Sequence, residues 1–123
     1  MNGDAPYLLA VYIVLEQRGS PVSTSAVAEL LDRSPSTVTE QFKHLDRDGL
    51  VHHEPYEGAT LTEDGRERAA ALHEAYVTVS WFYRSVLDLD SREADAMQVA
   101  GLLSPGVADR LAAMLPYDAD ENR

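Results

Sequence analysis

Apolar residues recur at helical spacing along most of the chain. Leu8, Val11, Tyr12 and Leu15 fall three or four apart behind Pro6, a residue suited to a first helical turn. With Gly19 as a stop, the pattern predicts a helix from Pro6 to Arg18. After Gly19-Ser20-Pro21, Ser23 is a candidate N-cap, and Val27, Leu30 and Leu31 share a face, which predicts a short helix from Thr24 to Leu31. Asp32-Arg33-Ser34 reads as a three-residue turn. Ser34 followed by Pro35 is a capping hydroxyl ahead of the residue best tolerated at the first helical position. It opens a helix that buries Val38, Phe42 and Leu45, runs to Asp48 and stops at Gly49. Two short helices across a tight turn predict a helix-turn-helix.

Strand-like residues then take over. Leu50 to Glu54 and Ala59 to Leu61 flank the turn chemistry of Pro55-Tyr56-Glu57-Gly58 and predict a β-hairpin, so the whole reads as a winged helix. Thr62 caps a long helix from Glu63 to about Leu87, with Gly65 an unfavourable residue in its first turn. Beyond Asp88-Leu89-Asp90, Ser91 is a candidate cap for a helix to Leu103, and Ser104-Pro105 repeats the cap-and-proline signal for a last helix to Leu115. Pro116 to Arg123, with Asp118, Asp120 and Glu121, reads as a frayed tail. The fold class is mainly α with a small β-hairpin. A winged helix-turn-helix is expected over residues 1–65, a helical domain over 66–116 and a disordered tail over 117–123.

Composition narrows the class. The 123 residues make about one small domain, and the absence of Cys excludes disulfides and thiolate sites. No apolar run approaches the roughly 18 residues of a membrane span, and the amino terminus, with Asp4 and no basic flank, does not resemble a secretory signal. A soluble, cytoplasmic chain with no membrane partner is expected. Acidic residues number 21 against 10 basic ones, for a net charge of -11, which argues against a nucleic-acid binder. Lys43 is the only lysine; the other basic residues are arginine. Dense carboxylates with scarce lysine suit molar salt, where the Debye length shrinks to roughly 3 Å and self-repulsion is small. A halophilic cytoplasm is the expectation.

Enzyme chemistry has no support: there is no Gly-rich phosphate loop, no His-Glu-x-x-His helix and no Gly-x-Ser-x-Gly elbow. His52 and His53 are adjacent on a strand and point to opposite faces, so one is expected at the surface and the other partly buried. The second helix of the helix-turn-helix is more informative. Its apolar stripe leaves Ser36, Thr37, Thr39, Glu40, Lys43, His44 and Arg47 outward. Small hydroxyls near a helix start suit base edges and phosphates in a major groove, and Lys43, His44 and Arg47 suit phosphates. Between Ser34 and Arg47, Glu40 and Asp46 balance Lys43 and Arg47, so this face escapes the global excess of acid. Thr24 and Ser25 start the preceding helix and suit the DNA backbone, as does Ser34; Tyr56 at the wing tip suits a minor groove, although Glu54 and Glu57 beside it repel phosphate.

Several stretches together carry a family resemblance. Val27-Ala28-Glu29-Leu30-Leu31, Ser34-Pro35-Ser36-Thr37-Val38-Thr39, Leu45 to Val51, Tyr56 to Ala59 and Leu61 to Gly65 resemble the diphtheria toxin repressor and manganese transport regulator family of metal-dependent transcription regulators. Tyr7-Leu8, with Tyr12 five residues on, is similar to that family's first helix. The resemblance covers about residues 6–104. It implies a winged helix-turn-helix followed by a helical dimerisation domain, a homodimer, and double-stranded DNA with a palindromic operator as partner, its half-sites about one helical turn apart or a multiple of it.

The resemblance also implies Mn²⁺ or Fe²⁺ as corepressor, yet the corresponding ligand positions carry Pro6, Leu9, Tyr76, Met97, Ala100 and Gly101. These ions require carboxylate and imidazole ligands, which a lone Met97 thioether does not replace. No cofactor is therefore expected. A rearranged site through His73 and Glu74 is the alternative, but no Glu-x-x-His follows to complete it. The family's further helix or SH3-like domain has no room after Leu115, so dimerisation is expected to rest on Trp81, Phe82, Leu87, Leu89, Val99, Leu102, Leu103 and Leu111. The reading from another class is a winged helix used as a protein-interaction adaptor, which the acidity of Glu40, Glu54 and Glu57 favours.

Overall fold

The structure is a computed structural model and describes residues 4–90 and 92–115. Its elements follow the predicted order: α1 (Ala5–Arg18), α2 (Thr24–Leu31), α3 (Pro35–Arg47), β1 (Val51–Glu54), β2 (Gly58–Leu61), α4 (Glu63–Ser85), α5 (Glu93–Leu102) and α6 (Pro105–Ala113). They divide into two compact units, the first ending at Ala70 and the second starting at Ala71. The tail from Pro116 and the candidate cap Ser91 lie outside the described residues.

In the first unit α1 packs on α2, α3 and β2, and α3 packs on α2 and β1. Val11, Val27, Val38, Phe42 and Leu45 are fully buried between them. Each short helix starts where a hydroxyl satisfies a free amide: Ser23 Oγ accepts from Ala26 N at 3.1 Å and Ser34 Oγ from Thr37 N at 3.2 Å. Asp32, with φ 55°, takes the left-handed conformation that ends α2 and turns the chain towards α3. One expected core residue does not belong there. Leu30 is 37% exposed because it sits about 100° round the helix from Leu31, off the buried face.

The hairpin pairs Val51 with Leu61 and Glu54 with Gly58 in antiparallel register. It is not left on its own. Val22, in the segment before α2, exchanges two backbone hydrogen bonds of 2.8 Å with Ala59, so a single bridge adds a third edge to the sheet. The pattern of apolar residues did not predict this bridge, because one paired residue has no periodicity. Gly58 permits it: with φ 120°, a Cβ there would stand 2.8 Å from the Val22 carbonyl carbon.

Thr62 joins the wing to the long helix. Its hydroxyl donates to Gly49 O at 2.7 Å and accepts from Gly65 N at 2.9 Å, while its amide donates to Leu50 O at 3.1 Å. Gly65 is buried here because the first turn of α4 runs directly over the Leu50 backbone.

In the second unit α4 ends with Leu89 N donating to Tyr83 O at 2.8 Å and Asp88 in the left-handed conformation. Helix α5 starts at Glu93 with Arg92 at the cap position and no cap bond from the Arg92 side chain. Ser104 caps α6 as expected, its Oγ accepting from Val107 N at 3.4 Å. Thr78, Val79, Ala96, Met97 and Ala100 are buried. Val86, Leu87, Leu102, Val107 and Met114 are exposed, with Leu102 at 73%. Trp81 and Phe82 meet edge to face with ring centroids 5.0 Å apart.

Candidate nucleic-acid interface

The stripe of α3 that enters the core, Val38, Phe42 and Leu45, fixes which side is left for partners. Ser36, Thr37, Glu40, Lys43, His44 and Arg47 are exposed on that side, and Thr39 is half-buried at its edge. At the helix start three hydroxyls gather: Ser34 Oγ lies 2.9 Å from Thr37 Oγ1 and 3.2 Å from Ser36 Oγ. Ser34 thus holds the helix start, while Ser36 and Thr37 present the hydroxyls outward. On α2, Ser25 is exposed with its Oγ 3.4 Å from Ser23 Oγ, and Thr24 is half-buried.

The cations further along α3 are held by neighbours on the same helix. Lys43 Nζ stands 3.6 Å from Glu40 Oε1, with both side chains more than half exposed. Such a pair is worth little in water, about 0.3–0.5 kcal/mol, and yields readily to a phosphate. Arg47 Nη2 donates to His44 Nδ1 at 2.8 Å, an arrangement that keeps the guanidinium at the carboxy-terminal end of the helix, where the backbone carbonyls favour positive charge.

Asp46, which reads in the sequence as one more exposed acid, has a positioning role. Its Oδ2 accepts from His53 N at 2.8 Å and so ties the end of α3 to strand β1. The His53 ring adds to the tie, meeting Phe42 edge to face at 5.7 Å between centroids. His53 is half-buried and His52 exposed, as the strand alternation predicts. No spacing rule picks out Asp46, because its partner is a backbone amide contributed by the fold. At the wing tip Glu57 N donates to Glu54 O at 3.0 Å, and Tyr56, with φ 70°, stands wholly in solvent, flanked by both glutamates.

The residues at the positions that the resemblance assigns to metal do not fit Mn²⁺ or Fe²⁺. Leu9, Met97, Ala100 and Gly101 are buried, and Tyr76 is half-buried, so these positions supply packing and one phenol in place of carboxylates and imidazoles. Among the described residues, no three His, Cys, Asp or Glu side chains come together in a way that would hold an ion. His73 instead lies against Tyr76, ring centroids 6.0 Å apart. No described helix is long and apolar enough to cross a membrane.

The chain is similar to known proteins in sequence and in fold. The family model for the iron dependent repressor N-terminal DNA binding domain matches residues 5–59, which run from α1 into β2. An HTH-type transcriptional regulator of Methanocaldococcus jannaschii is 36% identical over 107 residues, 85% of this chain and 86% of its own. The HTH-type transcriptional regulator MntR of Geobacillus kaustophilus is 28% identical over 118 residues, 95% of this chain and 83% of its own. Among solved structures, the manganese regulator SloR superposes with a TM-score of 0.76 at 26% identity. The match covers 93% of this chain, which spans about half of that longer one, 54%.

Proposed function

Because the chain belongs to the diphtheria toxin repressor and manganese transport regulator family of transcription regulators, we propose that it is a homodimeric DNA-binding regulator that acts without Mn²⁺ or Fe²⁺. The observation that carries this reading is α3: a polar face of hydroxyls, amphipathic around a fully buried stripe, with its far end fastened to the wing by Asp46. In the proposed complex Ser36, Thr37, Thr39 and Glu40 face base edges. Lys43, His44, Arg47, Thr24 and Ser25 lie on the backbone, and Tyr56 reaches the adjacent minor groove. Residues 1–65 are then the DNA-binding part and the helical remainder the dimerisation part.

Dimerisation is supported by the apolar side chains that the second unit leaves exposed, Val86, Leu87, Leu102, Val107 and Met114. Metal independence is supported by the donor set, in which apolar side chains and a phenol stand where ligands would be needed. The salt-rich cytoplasm is the setting in which the charge makes sense. Counterion release, the usual reward for a basic surface, is largely lost in molar salt, so hydrogen bonds and fit must supply the affinity.

Fluorescence anisotropy against genomic fragments in concentrated KCl, with and without chelator, tests all of this. Specific binding at a palindromic site that is unchanged by chelator is the expected result. Chelator-sensitive binding with stoichiometric Mn or Fe in the protein overturns metal independence. Absence of any specific binding favours the adaptor reading, for which the glutamates flanking Tyr56 speak.

A further inference from the structure

Helix α3 carries two acids, Glu40 and Asp46, and the fold gives them different tasks. Asp46 Oδ2 accepts from His53 N at 2.8 Å, which commits this carboxylate to the wing. Glu40 stays on the outward face, its side chain 65% exposed. Counting about 100° per residue, Glu40 points within about 15° of the direction opposite the buried stripe of Val38, Phe42 and Leu45. It therefore stands on the crest of the helix, one turn beyond Ser36 and one turn short of His44, both exposed on the same side. The nearby cations hold it only loosely: Lys43 Nζ is 3.6 Å away, and Arg47 is engaged with His44 at 2.8 Å.

A carboxylate on that crest limits what the helix can lie against. Ionised, it only accepts hydrogen bonds, so phosphates and base acceptors alike repel it, and desolvation without a donor is strongly unfavourable. Lys43 gives it no cover in a groove, because the same ammonium is drawn to the phosphates along the walls. What remains is the edge of a base. In the major groove guanine offers two acceptors, thymine an acceptor and a methyl, and adenine an amino donor with the N7 acceptor beside it. Cytosine alone offers a donor, its N4 amino group, with no acceptor of its own.

We propose that Glu40 is a specificity-determining residue that selects a cytosine in each half-site by accepting from its N4 amino group. The assignment rests on the reading of α3 as a helix in the major groove and adds to it the base that is chosen. Selection works by exclusion, since every other base leaves the carboxylate facing an acceptor. An acid on the crest thus lowers affinity for duplex in general and raises the contrast between sites.

Selection from a library of random duplexes at one fixed KCl concentration, followed by sequencing, tests this with the parent chain, Glu40→Ala and Glu40→Gln. The parent is expected to enrich a motif in which cytosine is favoured about tenfold or more at one position of each half-site. Glu40→Ala is expected to lose the preference there and keep it elsewhere, while binding the unselected library more tightly than the parent in anisotropy. Glu40→Gln is expected to move the preference from cytosine to adenine, whose N6 and N7 match an amide. Circular dichroism melts confirm that both variants are folded. A parent chain that enriches no motif overturns the reading of α3 and this assignment with it. A motif whose every position survives Glu40→Ala, or whose released position is not cytosine, overturns the role of Glu40 and leaves the DNA-binding reading standing.

Discussion

Replacing Gly65 by Ala sets two physical effects against each other, with opposite signs. Gly65 lies in the first turn of α4, where alanine is the better helix former by about 0.8–1 kcal/mol. On propensity alone the variant gains stability. The structure predicts a loss. A Cβ at this position would stand 2.7 Å from the carbonyl carbon of Leu50 and 3.2 Å from its Cα, closer still to its oxygen, and these are backbone atoms without a flexible end to move aside. The first turn must therefore retreat from Leu50 by more than about 1 Å, an overpacking cost of roughly 1–3 kcal/mol. The retreat also stretches Thr62 N to Leu50 O, now 3.1 Å, and Thr62 Oγ1 to Gly49 O, now 2.7 Å. Two such bonds contribute about 2 kcal/mol together. After subtracting the propensity gain, Gly65→Ala is expected to destabilise by roughly 2–4 kcal/mol, lowering Tm by about 10–15 °C. Gly106→Ala is the control, since that glycine also lies in a first helical turn but has nothing within 4 Å of an added Cβ. It should leave Tm unchanged or raise it. Melting both variants by circular dichroism beside the parent chain is sufficient, and a Gly65→Ala Tm at or above the parent's refutes the packing argument.

Four further outcomes are expected. Asp46→Ala should lose about 1–2 kcal/mol by urea titration through the bond to His53 N, with partial rescue by Asp46→Asn, whose amide oxygen still accepts; equal losses for both variants count against that bond. Arg47→Ala should weaken binding to all duplexes alike, whereas Thr39→Ala should relax preference at one half-site position by about 1–3 kcal/mol, read by anisotropy on operator and random DNA. Tm should rise between 0.1 M and about 3 M KCl as the self-repulsion of the net charge of -11 is screened, and unfolding at the high end sinks the halophilic reading. Because burial first of all raises the Tyr76 phenol above its ordinary value of 10.0, the unfolded chain loses that proton before the folded one does. Stability is therefore complete below pH 10 and falls as the pH rises past it, and Tyr76→Phe should shallow that fall in alkaline melts.

The sequence made the first unit legible because its signals are local. Ser23, Ser34 and Thr62 each cap the helix that they were expected to open, as Ser104 does in the second unit, and the stripe Val38, Phe42, Leu45 is buried as its spacing requires. What escaped has partners far along the chain. The Val22–Ala59 bridge, the seat of Gly65 on Leu50 and the bond from His53 N to Asp46 all join segments whose proximity only the fold creates. The outward set of α3 was likewise readable from the 3.6-residue period, except that Thr39 turned out half-buried. The pairings within that set, Arg47 with His44 and Lys43 with Glu40, follow from helical neighbourhood at three residues and were available in principle.

The bridge between Val22 and Ala59 also closes a loop of chain. The two residues that pair enclose α2, α3 and β1, and the ends of that loop are held by two backbone hydrogen bonds of 2.8 Å. A two-stranded ribbon is marginal by itself in water, so β1 and β2 gain from every further partner. The segment before α2 therefore steadies the wing as much as the wing steadies that segment.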